Sequence, residues 1–222
     1  MLNGEQQLSG EQQNILDVAK TGDNIVVDAV AGTGKTTLIL NIAKELGSQK
    51  LLQITYNKSL KFEVREKTKE LNIENLTIHT YHSLAVCYYS CKAHVDNEIK
   101  KIVMNDTKPS RNIPKFDMLI IDEAQDMTLL YYQLMVKFGK DTGSQFQLLV
   151  LGDYMQGLYE FKGSDILFLT LAETIWKQHP SLRTDKFQKC TMKMSYRITK
   201  QMSSFVNNVM IGEDRMDACR AD

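Results

Sequence analysis

Only four of the 222 residues are cysteine, and no apolar stretch comes near the ~18–20 residues needed to cross a bilayer. Four cysteines cannot staple a disulfide scaffold of this size, so a reducing, intracellular setting is the default. The amino-terminal MLNGEQQLSGEQQ lacks the apolar centre of a secretion signal, and no membrane is expected among the partners. Charge excess is also missing. Lysine plus arginine number 27, as do aspartate plus glutamate, which argues against a strongly basic, salt-driven binder of nucleic acid. A local site remains open, because net charge says nothing of distribution. There is no internal repeat and no low-complexity tract. What is present is the composition of a globular chain, 43% hydrophobic and 24% charged, which argues against disorder. The length accommodates one sizeable domain and a fragment of another.

Short apolar runs recur at Ile25–Asp28, Leu51–Thr55, Leu76–His79, Met118–Ile121 and Gln147–Leu151. Their brevity and weak polar alternation predict strands buried on both faces of a parallel sheet. Helical spacing lies between them. Leu38, Ile39, Ile42, Ala43 and Leu46 share one face from Lys35 onward, with Gly47 as a stop. Asp126 is read as the cap of a helix running to Phe138, before Gly139. Leu167, Leu171 and Ile175, with Phe168 and Trp176, predict one core helix. The alternation predicts an α/β fold with right-handed crossovers. Residues 84–115, rich in tyrosine and lysine, read as an insertion or reduced subdomain. Further on, Lys189–Lys193 reads as another strand, Ile198–Met210 as a helix and Gly212–Asp222 as a polar tail. Residues 1–188 are therefore expected to form one lobe and 189–222 the truncated start of a second, within a longer native polypeptide.

The strongest chemical signal is Ile25–Thr37: strand, glycine-containing loop, helix. Ala29 stands where the P-loop pattern usually begins with glycine. Backbone N–H groups of Ala31, Gly32, Thr33, Gly34, Lys35, Thr36 and Thr37 can still wrap a phosphate at a helix N-terminus. Lys35 would place its charge on the β- and γ-phosphates, and the Thr36 hydroxyl would ligate Mg²⁺. A second run, Phe116–Asp126, ends a buried strand in Asp122 and Glu123. Asp122 suits Mg²⁺, and Glu123 suits the general base that polarises the attacking water. Alone, this pair would equally suit a helix start. A third run, Leu149–Gly163, ends another strand in a polar loop. Gln156 is the candidate γ-phosphate sensor there. Tyr159 and Phe161, beside Lys162, would stack single-stranded bases or form a core pair under the loop.

Together these motifs resemble superfamily 1 helicases of the UvrD/Rep/PcrA type, across nearly the whole chain and in the family's order. Leu8-Ser-Gly-Glu-Gln12 resembles the Q motif, Ala29–Thr37 motif I, Ile54–Ser59 motif Ia, Asp122–Asp126 motif II, Gly152–Gly163 motif III and Met194-Ser-Tyr196-Arg197 motif IV. The Tyr56-Asn-Lys-Ser form, followed by Thr80-Tyr-His82-Ser, looks closest to the F-box DNA helicase branch. The resemblance implies a RecA-like P-loop NTPase, with a mainly parallel sheet flanked by helices, that hydrolyses ATP with Mg²⁺. Gln12 would read the adenine, Tyr196 would stack on it, and Arg197 would reach the γ-phosphate. Tyr56, His82, Tyr159 and Phe161 would touch single-stranded DNA, with movement 3′→5′ by a monomeric motor of the repair type, nuclear in a eukaryote and cytoplasmic otherwise. Met155 departs from the acidic residue common in motif III, and nothing resembles motifs V and VI. A nucleotide-dependent binding or switch module is the competing reading, and RNA is the competing strand.

His79, His82, Cys87, Cys91 and His94 cluster, but their spacings match no common zinc finger, and packing is the favoured reading. Lys100, Lys101, Lys108, Arg111 and Lys115 make the insertion basic, which a solvated surface explains adequately.

Overall fold

The structure, a computed structural model, describes residues 8–157 and 163–220. Helix α1 (Gly10–Thr21) leads into β1 (Asn24–Ala29), α2 (Lys35–Glu45), β2 (Leu51–Thr55), α3 (Lys58–Glu70) and β3 (Leu76–Thr80). Two helices, α4 (Tyr81–Tyr88) and α5 (Asp96–Met104), precede β4 (Met118–Asp122), α6 (Leu129–Thr142) and β5 (Gln147–Gly152). Short helices α7 (Leu167–Thr170) and α8 (Ala172–Trp176) then lead to β6 (Phe187–Met192). These six strands form one sheet in the order β3-β2-β4-β5-β1-β6, parallel throughout. The five short apolar runs are all strands, with ends moved by one residue at most, and the strand foreseen at Lys189–Lys193 is β6, which starts two residues earlier, at Phe187.

Each strand sends alternate side chains to opposite faces, and both faces are buried. Leu52, Ile54, Leu119, Ile121, Leu148 and Val150 pack with residues of α4, α5, α6, α7 and α8. Ile25, Val27, Leu51, Met118, Ile120, Leu149 and Leu151 pack with residues of α1, α2 and α3. Truncating a fully buried leucine such as Leu119 or Leu149 to alanine costs on the order of 2–5 kcal/mol. In a sheet of this kind the loops after the strands gather at the carboxyl edge. The turns after β1, β2, β4 and β5 meet there.

Four expectations need correction. The helix after β4 is capped by Thr128, not Asp126, and ends at Gly143, not Gly139. Asp126 lies in a 3₁₀ turn, Ala124–Asp126. Gly139 lies within the helix, and its lack of a side chain is explained by packing, since a β-carbon there would meet the His179 ring at 2.5 Å. Gly143, at φ 59°, supplies the left-handed residue that stops it. The expected core helix after residue 166 breaks at Leu171 into α7 and α8. Phe168, Leu169, Ala172 and Trp176 face the core, whereas Leu167 and Leu171 are exposed. A boundary at 188 would cut β6, which pairs along its whole length with β1, so the first sheet extends to Met192. Beyond it, β7 (Met194–Thr199), α9 (Lys200–Phe205), a π-helical turn (Val206–Ile211) and β8 (Asp217–Arg220) replace the expected single helix and tail. β7 and β8 pair as a separate two-stranded sheet.

Candidate nucleotide site

The loop after β1 turns on Gly32 (φ 78°) and Gly34 (φ 82°), left-handed positions that favour glycine. Gly34 caps α2 without a side-chain bond, leaving the helix N-terminus to accept an anion. The loop is held from three sides. The buried Thr33 hydroxyl donates to the Val30 carbonyl (2.9 Å). Gln12 Nε2 donates to the carbonyls of Thr33 (3.1 Å) and Gly34 (3.4 Å), while its Oε1 accepts from Ser9 N in a capping box. From β7, Ser195 Oγ donates to the Ala31 carbonyl (2.9 Å) and Tyr196 N to that of Gly32 (2.9 Å). β-Carbon room at Gly32 is taken by Arg197 Cβ and Ser195 Oγ, and at Gly34 by Gln12 Nε2. Gln12, predicted to read a base, is thus engaged with the loop through Nε2 and with the cap of α1 through Oε1. Lys35 and the half-buried Thr36 and Thr37 open α2.

Lys35 Nζ lies 3.3 Å from Glu123 Oε2, joining the loop to the end of β4. Glu123 sits at φ 53°, ψ 50°, a left-handed conformation costing a non-glycine residue roughly 1–2 kcal/mol, of the kind found at functional sites. Gln125 Nε2 donates to Glu123 Oε2 (2.9 Å), and Gln125 Oε1 accepts from Asp153 N (3.1 Å). Asp122, 1% exposed, accepts from Gln53 Nε2 (2.9 Å) and from Glu123 N (3.0 Å). Burial, then the Glu123 carboxylate, pushes the Asp122 carboxyl well above its ordinary range. The same causes raise Asp126 to about 6, with Lys35 opposing both. A carboxylate at a strand end and a threonine hydroxyl at a helix start are hard oxygen groups of the kind a magnesium ion takes. Asp122 and Thr36 therefore fit that ion.

Gln156 Nε2 donates to Asp153 Oδ2 (2.8 Å), and Gln156 lines a cleft of about 730 Å³ with Tyr56, Glu123 and Asp126. Asp153 is 3% exposed and also accepts from Ala31 N (3.1 Å). Its other oxygen accepts from Arg215 Nη2 (2.6 Å). Gln53, Asp153 and Arg215 were not among the sequence-derived site residues. Gln53 was detectable as the lone amide in an apolar run, and Asp153 as a carboxylate at a strand tip. Arg215, in an apparently featureless polar tail, carried no signal.

Of the four candidate DNA contacts, the structure brings Tyr56 and His82 together around Tyr131. The Tyr56 ring lies 6.1 Å and the His82 ring 5.8 Å from it, and Tyr81 stacks on it at 4.4 Å. His82 Nε2 lies 3.0 Å from Asp96 Oδ1, which also accepts from the Tyr131 hydroxyl (2.8 Å). Tyr159 and Phe161 lie outside the described residues. Tyr196 and Arg197 are exposed on β7, across the phosphate loop.

A phosphate loop at the head of a parallel sheet, facing a strand-end carboxylate pair, defines a P-loop nucleotide-binding domain of RecA-like form. Residues 12–162 match the AAA domain family, and the chain belongs to it. It is similar to F-box DNA helicase 1 of Gallus gallus, 35% identical over 82 residues, covering 36% of this chain and 8% of that protein. It is also similar to ATP-dependent DNA helicase Pif1 of Campylobacter jejuni, 25% identical over 134 residues, covering 60% and 28%. The chain thus matches less than a third of either relative's length. Among solved structures, Pif1 helicase from Candida albicans superposes with TM-score 0.55 at 20% identity, over 91% of this chain and 44% of that one. Bacteroides sp Pif1 in complex with ADP-AlF4 gives 0.53 at 18%, over 92% and 46%. The two structural likenesses show a shared RecA-like fold. Among the described residues, no helix is long and apolar enough to cross a membrane.

Proposed function

We propose that this chain is the ATP-hydrolysing lobe of a DNA helicase or translocase. The observation that carries the proposal is the Lys35–Glu123 contact of 3.3 Å, which joins phosphate loop and candidate base in one site. Lys35 neutralises the phosphates, and its move toward them frees the Glu123 carboxylate. Gln125 holds that carboxylate while it orients the attacking water and takes its proton. Thr36 and Asp122 would hold Mg²⁺, which supplies charge neutralisation on the phosphate oxygens. Gln156 leaves Asp153 for the γ-phosphate. Tyr196 stacks on the adenine, Arg197 reaches the γ-phosphate, and Gln12 exchanges its long contact to Gly34 for the base edge. Tyr56 and His82, with Tyr159 and Phe161, contact single-stranded DNA, whose bases stack without sequence preference.

Residues from Lys193 onward belong, in this reading, to a second lobe, and residues 84–115 to a reduced insertion. The UvrD/Rep/PcrA branch, its 3′→5′ direction, a monomeric state and a role in repair within the nucleus or cytoplasm are proposed on motif style. Duplexes carrying a 3′ or a 5′ tail test the direction. The switch-module reading is favoured by one observation, the closure of β7 over the phosphate loop within this same chain. ATP hydrolysis with and without single-stranded DNA separates the two, using Lys35→Ala as the blank. A DNA-stimulated, Lys35-dependent rate supports the motor. Binding with a DNA-independent rate supports the switch. Equal stimulation by RNA would widen the substrate.

A further inference from the structure

Arg215 belongs to none of the motifs, yet it is 8% exposed and its guanidinium reaches the strand that precedes the phosphate loop. Its guanidinium donates to both carboxylate oxygens of Asp28 on β1, at 2.8 and 2.9 Å, and to Asp153 Oδ1 at 2.6 Å. It also lies over the Tyr154 ring, 3.9 Å from the centroid. Fork-shaped pairing of this kind fixes orientation as well as charge. The backbone around Arg215 is pinned in turn. Asn207 Oδ1 accepts from the N–H groups of Arg215 (3.3 Å) and Met216 (3.1 Å), and Asn207 Nδ2 donates to the Met216 carbonyl (2.8 Å).

Asp153 is where this arrangement meets the nucleotide site. One oxygen faces Arg215, and the other accepts from Ala31 N and from Gln156 Nε2. Ala31 is therefore fixed at its N–H through Asp153 and at its carbonyl through Ser195. Both attachments lead into the segment that carries Tyr196 and Arg197. Without Arg215, the buried Asp153 carboxylate would have no cation to hold it and would be left close to that of Asp28.

We propose that Arg215 is a positioning residue that couples the phosphate loop to the segment from Met194 to Arg220. When Gln156 turns to a γ-phosphate, Asp153 loses that donor and its charge falls more heavily on Arg215. Phosphate occupancy thereby tightens the turn at 212–216 and the strands flanking it. The inference rests on the ATP reading given above and assigns it a route from site to second sheet.

Hydrogen exchange on the intact chain tests this, with and without a slowly hydrolysed ATP analogue. Amides between 207 and 217 should slow at least tenfold when the analogue binds, and Lys35→Ala should show no such change. In parallel, Arg215→Lys keeps one charge but cannot span both carboxylates. Its KM for ATP should rise about tenfold, with kcat within twofold of the parent and an unchanged melting temperature. Lys35-dependent binding that leaves residues 207–217 unaltered would overturn the coupling, even if Arg215→Lys proved unstable. A drop in melting temperature with KM unchanged would likewise mark Arg215 as purely structural. Absence of any Lys35-dependent binding overturns the ATP reading, and this proposal with it.

Discussion

At the scale of single residues, the site is a set of charges held in place by neutral amides. Gln53, Gln125 and Gln156 each fix one carboxylate, on Asp122, Glu123 and Asp153 respectively. Such partners orient a ligand without touching the ion, and their loss typically costs 10–100-fold in metal affinity. Gln53→Leu should therefore raise the Mg²⁺ concentration needed for half-maximal ATP hydrolysis by at least about tenfold, with saturating rates less affected. A magnesium titration of parent and variant reads this directly. Chemistry carried by residues close in sequence was legible beforehand. Lys35 with Thr36, and Asp122 with Glu123, lie in two compact motifs, each legible from its own spacing at the end of a strand, and the parallel sheet brings the two motifs together. The Arg215–Asp153 pair, 62 positions apart, follows no local period, so only the folded chain brings it into view.

At the scale of elements, the strands were legible because four or five apolar residues in succession have few other stable placements. The ends of helices were less so. Asp126 and Gly139 look like a cap and a stop, but a second local cap takes over the first role, and a close tertiary neighbour, His179, explains the glycine at the second. Thr128 Oγ1 accepts from Tyr131 N at 3.3 Å and does the capping. Thr128→Ala should cost on the order of 1 kcal/mol, seen as a lower urea midpoint with an unchanged slope, whereas Asp126→Ala should show no cap loss. The break at Leu171 is invisible in the sequence because Leu167, Leu171 and Ile175 keep helical spacing through a residue whose backbone is not helical (φ −109°, ψ 22°).

At the scale of the whole molecule, two buried histidines set the acid limit. Burial holds His79 and His179 at about 4, below their ordinary 6.5. A depressed folded value means that the neutral ring's contribution is complete above pH 6.5 and is lost as pH falls through about 4. Asp122 and Asp126 act in the opposite sense. Their raised folded values favour the folded state at low pH and lose that contribution as pH rises through about 6 for Asp126. His179 packs between Phe146 and Trp176, with Nδ1 accepting from Ser181 N (3.1 Å). Relative to parent, His179→Gln should lose less stability between pH 6.5 and 4, by on the order of 3 kcal/mol, in urea unfolding followed at both pH values. A single transition through residues 8–220 would also mean that the β7–β8 sheet unfolds with the main sheet it rests on.

The central claim is that Glu123 activates water against a phosphate held by Lys35. Glu123→Gln keeps the shape of the side chain and removes its basicity. Single-turnover ATP hydrolysis by parent and variant, with bound nucleotide measured alongside, tests the claim most directly. The account predicts undiminished binding with hydrolysis slowed at least about a hundredfold. Hydrolysis by Glu123→Gln at the parent rate would contradict it.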